Sequence, residues 1–253
     1  MKKTTLLSLS FVATLLLSVA PSLSAAPSIE AQASSTKATI EKEDAAFSVE
    51  AIPEKVFIAM QGKSYKEGCP VAPEQLRLVR VLHKTRAGKT LTGELIVNRL
   101  IAGDVLEIFQ ALYKANYPIE KIRLIDYYGA DDETSMRDNN TSAFNFRFIS
   151  GTKHISNHGL GLAIDINPLY NPYVKTLNGR TMIEPATGAP YVDREKAFPY
   201  KIDHNDLCYK LFTERGFVWG GDWKNRKDYQ HFEAPTAKLI PLKKTLSNKT
   251  TKH

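Results

Sequence analysis

Ser156-Asn157-His158-Gly159-Leu160-Gly161-Leu162-Ala163-Ile164-Asp165 is the stretch that decides how this chain reads, and Asp228-Tyr229-Gln230-His231-Phe232-Glu233 answers it far downstream. Leu160, Leu162, Ile164 and Ile166 alternate with Gly161, Ala163 and Asp165, which predicts a strand with one bulky face and one face of small residues carrying the aspartate. Phe217-Val218-Trp219 reads as a second strand, Gly220-Gly221 as a turn, and Tyr229 to Glu233 as a returning strand. The core of the fold is therefore expected to be a small, mainly antiparallel sheet.

That sheet carries chemistry. His158, Asp165 and His231 offer two neutral imidazoles and one carboxylate, the ligand set of a catalytic zinc that keeps one position open for water. His158 precedes the strand, and the bend at Gly159 is expected to let it converge with Asp165. Asp228 lies three residues before His231, where a general base is useful. A lone histidine beside glycine is more often a hydrogen-bonding loop residue, and a lone strand aspartate more often a cap or ion-pair partner. The joint pattern, in this order, is what points to a zinc hydrolase.

Working outward, residues 76–83 and 91–98 are apolar-rich and flank Arg86-Ala87-Gly88-Lys89, a plausible hairpin. Asp104 opens a helix whose Val105, Ile108, Phe109, Leu112 and Tyr113 share one face. Residues 121–127 alternate like a half-buried strand, and 129–141 are polar and loop-like. Residues 168–200 form a long proline-rich excursion that is expected to rim a cleft. Asp203 is expected to cap a second helix over 204–215, with Leu207, Cys208, Leu211 and Phe212 inward and Gly216 ending it. The class is α+β: a single domain with the zinc-bearing sheet and helices packed on one face.

The ends frame this domain. Lys2 and Lys3, an apolar run from Leu6 to Val19, and small residues up to Ala31-Gln32-Ala33 predict a signal peptide over 1–33, with an earlier cleavage option at Ser22-Leu23-Ser24-Ala25. Residues 34–53 read as a flexible lead-in, 54–242 as the folded zinc-bearing domain, and 243–253 as a disordered basic tail. An exported, extracytoplasmic monomer without stable membrane insertion is expected. The net charge of +7 is scattered, with no arginine-rich arm, which argues against nucleic acid. Cys69 and Cys208, the only cysteines, are simplest as one disulfide in an oxidising compartment; two buried free thiols are the alternative.

With Asn140-Thr141-Ser142-Ala143-Phe144-Asn145-Phe146-Arg147 and Trp219-Gly220-Gly221-Asp222-Trp223 added, the two motifs resemble those of the zinc D-alanyl-D-alanine carboxypeptidase family, which includes L-alanyl-D-glutamate endopeptidases. The resemblance covers roughly residues 65–240 and looks like an exported bacterial branch. It implies one zinc ion on His158, Asp165 and His231, Asp228 as catalytic acid or base, and a peptidoglycan stem peptide as substrate. The family also places an arginine upstream of the first histidine in a Tyr-Arg-Ser-like segment. Here the corresponding place reads Tyr127-Tyr128-Gly129-Ala130, so Arg147 is the first candidate to stabilise the transition state and Arg137 the second. Ser156 is a candidate to orient a ligand or bind substrate, and Glu233 to hold the far nitrogen of a histidine ligand. Trp219 and Trp223 are candidates to wall the cleft, while His154, His83, His204 and His253 are set aside. Terminal D-alanine trimming and L-Ala–D-Glu cleavage both remain open, as does a non-catalytic wall-binding module on the same scaffold.

Overall fold

The computed structural model describes residues 43–250, with side chains described up to Lys244. The expected signal segment 1–33 lies outside the described residues. From residue 43 onward the expected lead-in is ordered: strand β1 (Ser48–Glu50) pairs antiparallel with β2 (Leu76–Lys84), after helix α1 (Glu54–Met60). β2 continues into β3 (Thr90–Asn98) in register from Leu76↔Asn98 to Lys84↔Thr90, the hairpin anticipated around Arg86–Lys89.

Helix α2 (Ala102–Lys114) covers β2 with its expected face. Val105, Ile108, Phe109 and Leu112 are at most 1% exposed, so each contributes about 2 kcal/mol of burial. The anticipated strand 121–127 shrinks to β4 (Lys121–Ile122), followed by a 3-10 turn over Ile125–Tyr128. Its alternation is overridden by a distant contact: Asp126 accepts from both the backbone N–H and the hydroxyl of Ser64, at 3.1 and 3.0 Å. Helix α3 (Asp132–Arg137) then leads to β5 (Asn140–Thr141), which runs parallel to β4.

The ligand-bearing sheet is shorter than its sequence suggests. It consists of β6 (Ala163–Asp165), β9 (Val218–Trp219) and β11 (His231–Glu233), in the order β6-β11-β9 and wholly antiparallel. The proline-rich excursion holds a hairpin, β7 (Tyr173–Leu177) and β8 (Arg180–Glu184), and β7 also pairs with β10 (Lys227–Asp228). Helix α4 (Leu207–Glu214) packs on the ligand sheet through Phe212, whose ring stacks on that of Phe232 at 4.3 Å. Its cap is Asp206, not Asp203, because the Asp206 carboxylate accepts from the N–H groups of Cys208 and Tyr209. Leu207, expected inward, is 37% exposed at that first position.

Helix α5 (Thr236–Thr250) runs into the tail expected to be disordered, with Leu239 buried against the domain, and residues 251–253 lie outside the described residues. Cys69 and Cys208 are free thiols, so the disulfide expectation does not hold. Cys208 is fully buried under α4, and burial pushes its thiol well above the ordinary value. The α+β class stands, built on three small antiparallel sheets and one parallel pair. Among the described residues no helix is long and apolar enough to cross a membrane.

Candidate metal centre

His158 sits in a 3-10 turn, His158–Leu160, that two local devices fix. The Ser156 hydroxyl accepts from the His158 N–H at 3.3 Å, so Ser156 shapes the turn. Gly161 closes it at φ +67°, where a Cβ would lie 2.7 Å from the Asn98 nitrogen. The bend that brings His158 back is therefore at Gly161; Gly159 lies within the turn, against the Arg147 backbone.

Asp165 and His231 meet because they are direct cross-strand partners in the β6–β11 register. Two residues on, Glu233 shares the His231 face, and its partner Ala163 is small enough to leave it room. Backbone bonds between Ser142 and Asp165, at 3.1 and 2.9 Å, hold the aspartate from the other side.

The three side chains converge. His158 Nε2 lies 3.0 Å from His231 Nδ1 and 3.2 Å from Asp165 Oδ2, and His231 Nδ1 lies 3.0 Å from Asp165 Oδ1. The outer nitrogens are already committed. His158 Nδ1 donates to the Ala143 carbonyl at 2.6 Å, and His231 Nε2 faces Glu233 Oε2 at 3.7 Å. Glu233 is held in turn by the Asn157 amide. The Ala143 bond fixes the His158 tautomer and leaves its Nε2 lone pair facing inward, whereas the 3.7 Å approach of Glu233 to His231 is longer than a hydrogen bond. Two imidazole nitrogens and a carboxylate converging on one point could hold a metal ion, and this donor set fits zinc.

The electrostatics agree. Burial disfavours a charged Asp165, yet the adjacent His158 and His231 hold its carboxyl far below the usual range. Burial also opposes a charged His231, but its bonds to Asp165 and Glu233 push its pKa up to about 10.

Asp228 adjoins this cluster on β10. Its Oδ1 is buried with no hydrogen-bond partner among the described residues. Burial, reinforced by the charge of Asp165, raises its pKa to about 7, against the opposing influence of His231, His158 and Arg147. Gly220 permits the approach: a Cβ there would stand 2.6 Å from the Asp228 carbonyl oxygen and 3.3 Å from the His231 Cβ.

The two candidate arginines separate. Arg147 feels and lowers the Asp228 pKa, and its Nε is ion-paired with Asp132. The Arg137 side chain is 58% exposed and is paired with Glu133 one turn earlier in α3. The tryptophans separate as well. Trp219 is buried and donates to the Tyr229 carbonyl at 2.9 Å, whereas the Trp223 ring lies 5.3 Å from that of His231. His154 is exposed, His83 Nδ1 donates to the Ile119 carbonyl, and His204 pairs with Asp222.

Sequence reasoning missed Asn157, the Ala143 carbonyl, and the Tyr173–Glu184 pair that β7 and β8 bring beside Asp228. A signal for the last was present: Asn178-Gly179, at φ +51° and +73°, is the two-residue hairpin turn between Leu177 and Arg180.

His158, Asp165 and His231 thus form a cluster that could hold one metal ion, and beside it a buried carboxylate oxygen of Asp228 has no hydrogen-bond partner among the described residues. Residues 150–234 match a peptidase family model described as D-alanyl-D-alanine carboxypeptidase, and the match spans all three ligands and Asp228. It supports the family resemblance read from the motifs. No curated protein and no solved structure matches the chain.

Proposed function

We propose that this protein is a zinc-dependent peptidase that acts on peptidoglycan stem peptides outside the cytoplasmic membrane, trimming them as a D-alanyl-D-alanine carboxypeptidase. The observation that carries the reading is the inward convergence of His158 Nε2, His231 Nδ1 and the Asp165 carboxylate beside the unpartnered Asp228 Oδ1. The match over residues 150–234 supports peptide hydrolysis as the reaction, and the amino-terminal signal pattern supports the compartment.

A zinc ion held by His158, Asp165 and His231 supplies Lewis acidity, bringing the pKa of water near neutral. The chain's own residues do the rest. The Ala143 carbonyl and Glu233 fix the two imidazole rings so that their inner nitrogens stay aimed at one point. Asp228, poised near neutrality by burial, takes a proton from the attacking water and returns it to the departing amine. Arg147 supplies positive charge beside Asp228, where the carbonyl oxygen gains negative charge during attack. Its pairing with Asp132 keeps that guanidinium in place.

Incubation of the purified, zinc-loaded protein with intact peptidoglycan, followed by mass spectrometry of the muropeptides, tests this. The expected product is stem peptide shortened by one D-alanine. Release of neither D-alanine nor any new amine, with zinc bound at one per chain, would refute the assignment. Cuts only between L-alanine and D-glutamate would assign the endopeptidase alternative instead. Secreted protein whose amino terminus begins after Ala25 or Ala33 is the expected sign of export.

A further inference from the structure

One cation beside the metal centre has no work in the mechanism above. Arg226 lies in the bend just before β10, two residues from Asp228 in the chain. Its guanidinium lies over the Trp223 ring, 4.3 Å from the centroid, and Trp223 is the aromatic against His231. The stack holds a long side chain in place without neutralising it. Among the described residues Arg226 has no carboxylate partner, whereas Arg147 is ion-paired with Asp132 and Lys227 donates to the Gly221 carbonyl. The charge of Arg226 also reaches Tyr173, the direct partner of Asp228 across β10 and β7. An uncommitted guanidinium therefore stands on the Asp228 side of the metal.

That side is where the departing amine receives its proton. In a terminal D-alanine the free carboxylate is joined to the same α-carbon as that amine, so it must lie close by. It would enter a region already carrying Asp228 and Glu184, and an unopposed carboxylate would be repelled there. The geometry points to Arg226 as the residue that reads the substrate's free terminal carboxylate, through a bidentate charge-assisted pair, and so commits the cleft to carboxypeptidase cleavage. This rests on the proposed zinc peptidase reading for what sits in the cleft. An arginine suits the task because its planar fork matches a carboxylate, a match lysine lacks.

The test separates binding from turnover. In zinc-loaded Asp228→Asn protein, affinities are measured by calorimetry for diacetyl-L-lysyl-D-alanyl-D-alanine and for its carboxy-terminal amide. With Arg226 present the free acid is expected to bind at least about tenfold tighter than the amide. Arg226→Gln should bring the ratio near one, and Arg226→Lys should leave it between, with one zinc per chain retained throughout. Equal affinities with Arg226 present, or a ratio that survives Arg226→Gln, would overturn the inference. Turnover by the otherwise unaltered protein is scored separately with the same two peptides. Turnover without acid preference sinks the role of Arg226 and leaves the peptidase reading intact. Arg226-dependent acid preference without any turnover does the reverse.

Discussion

Asp228 answers to two conflicting requirements. A general base must be able to hold a negative charge, yet its Oδ1 is sealed from solvent and unpartnered, and burial raises its pKa to about 7. The sign of the consequence follows. A carboxyl whose folded-state pKa is raised favours the fold while protonated, and that advantage is lost as pH rises through the folded value. In the metal-free protein, Asp228 is therefore a liability near and above pH 7 and harmless at pH 4. Asp228→Asn should raise the thermal midpoint of the zinc-free protein at pH 8 and leave it nearly unchanged at pH 4, while cutting kcat of the zinc-loaded protein about 100-fold or more. Thermal melts at both pH values, paired with peptidase assays, check this. A variant destabilised at pH 8 would mean that Oδ1 has a favourable role that the burial argument omits. Residue roles were legible where neighbouring positions constrained them. Glu233, expected to reach the far nitrogen of a histidine ligand, lies with its Oε2 3.7 Å from His231 Nε2. Asn157 escaped because its partner is reached only through the fold.

At the scale of elements, the short 3-10 turn Gly220–Asp222 decides how closely β10 can approach β11. Gly220 is required there by space, since its missing Cβ makes room for the Asp228 backbone and the His231 Cβ together. Gly220→Ala should push the two strands apart, destabilising the zinc-free fold by about 1–3 kcal/mol. It should also weaken zinc binding, because His231 shifts against partners that do not move with it. Chemical denaturation and a zinc competition titration measure the two effects; a stable variant with unaltered zinc affinity would mean the turn yields without disturbing the ligands. Elements with local causes were readable in advance. The β2–β3 hairpin had alternation and a turn, and α2 had a complete apolar face. Elements with distant causes were not: Ser64 captures Asp126 and ends β4, and the cap of α4 falls on Asp206 rather than on the expected Asp203.

In the whole molecule, the ligand sheet is small for the work assigned to it, with strands of three, two and three residues for β6, β9 and β11. Its ligands come from chain segments far apart in sequence: His158 and His231 are 73 residues apart. Both motifs were visible in the chain, but not the thinness of the sheet that joins them, because burial extends from Leu160 to Ile166 well beyond the strand proper. A metal held by these three side chains would cross-link the turn before β6 to β11. Zinc at about a thousand times its dissociation constant should therefore stabilise the fold by about 4 kcal/mol. For a domain of this size that corresponds to a rise of roughly 10 °C in the thermal midpoint. The rise should vanish on chelation and in His158→Ala, whose loss removes the ligand from the turn without touching the β6–β11 pairing. Scanning calorimetry of the zinc-loaded, chelated and variant proteins measures it. A midpoint indifferent to zinc in the unaltered protein would show that the three side chains, though convergent, do not hold the ion.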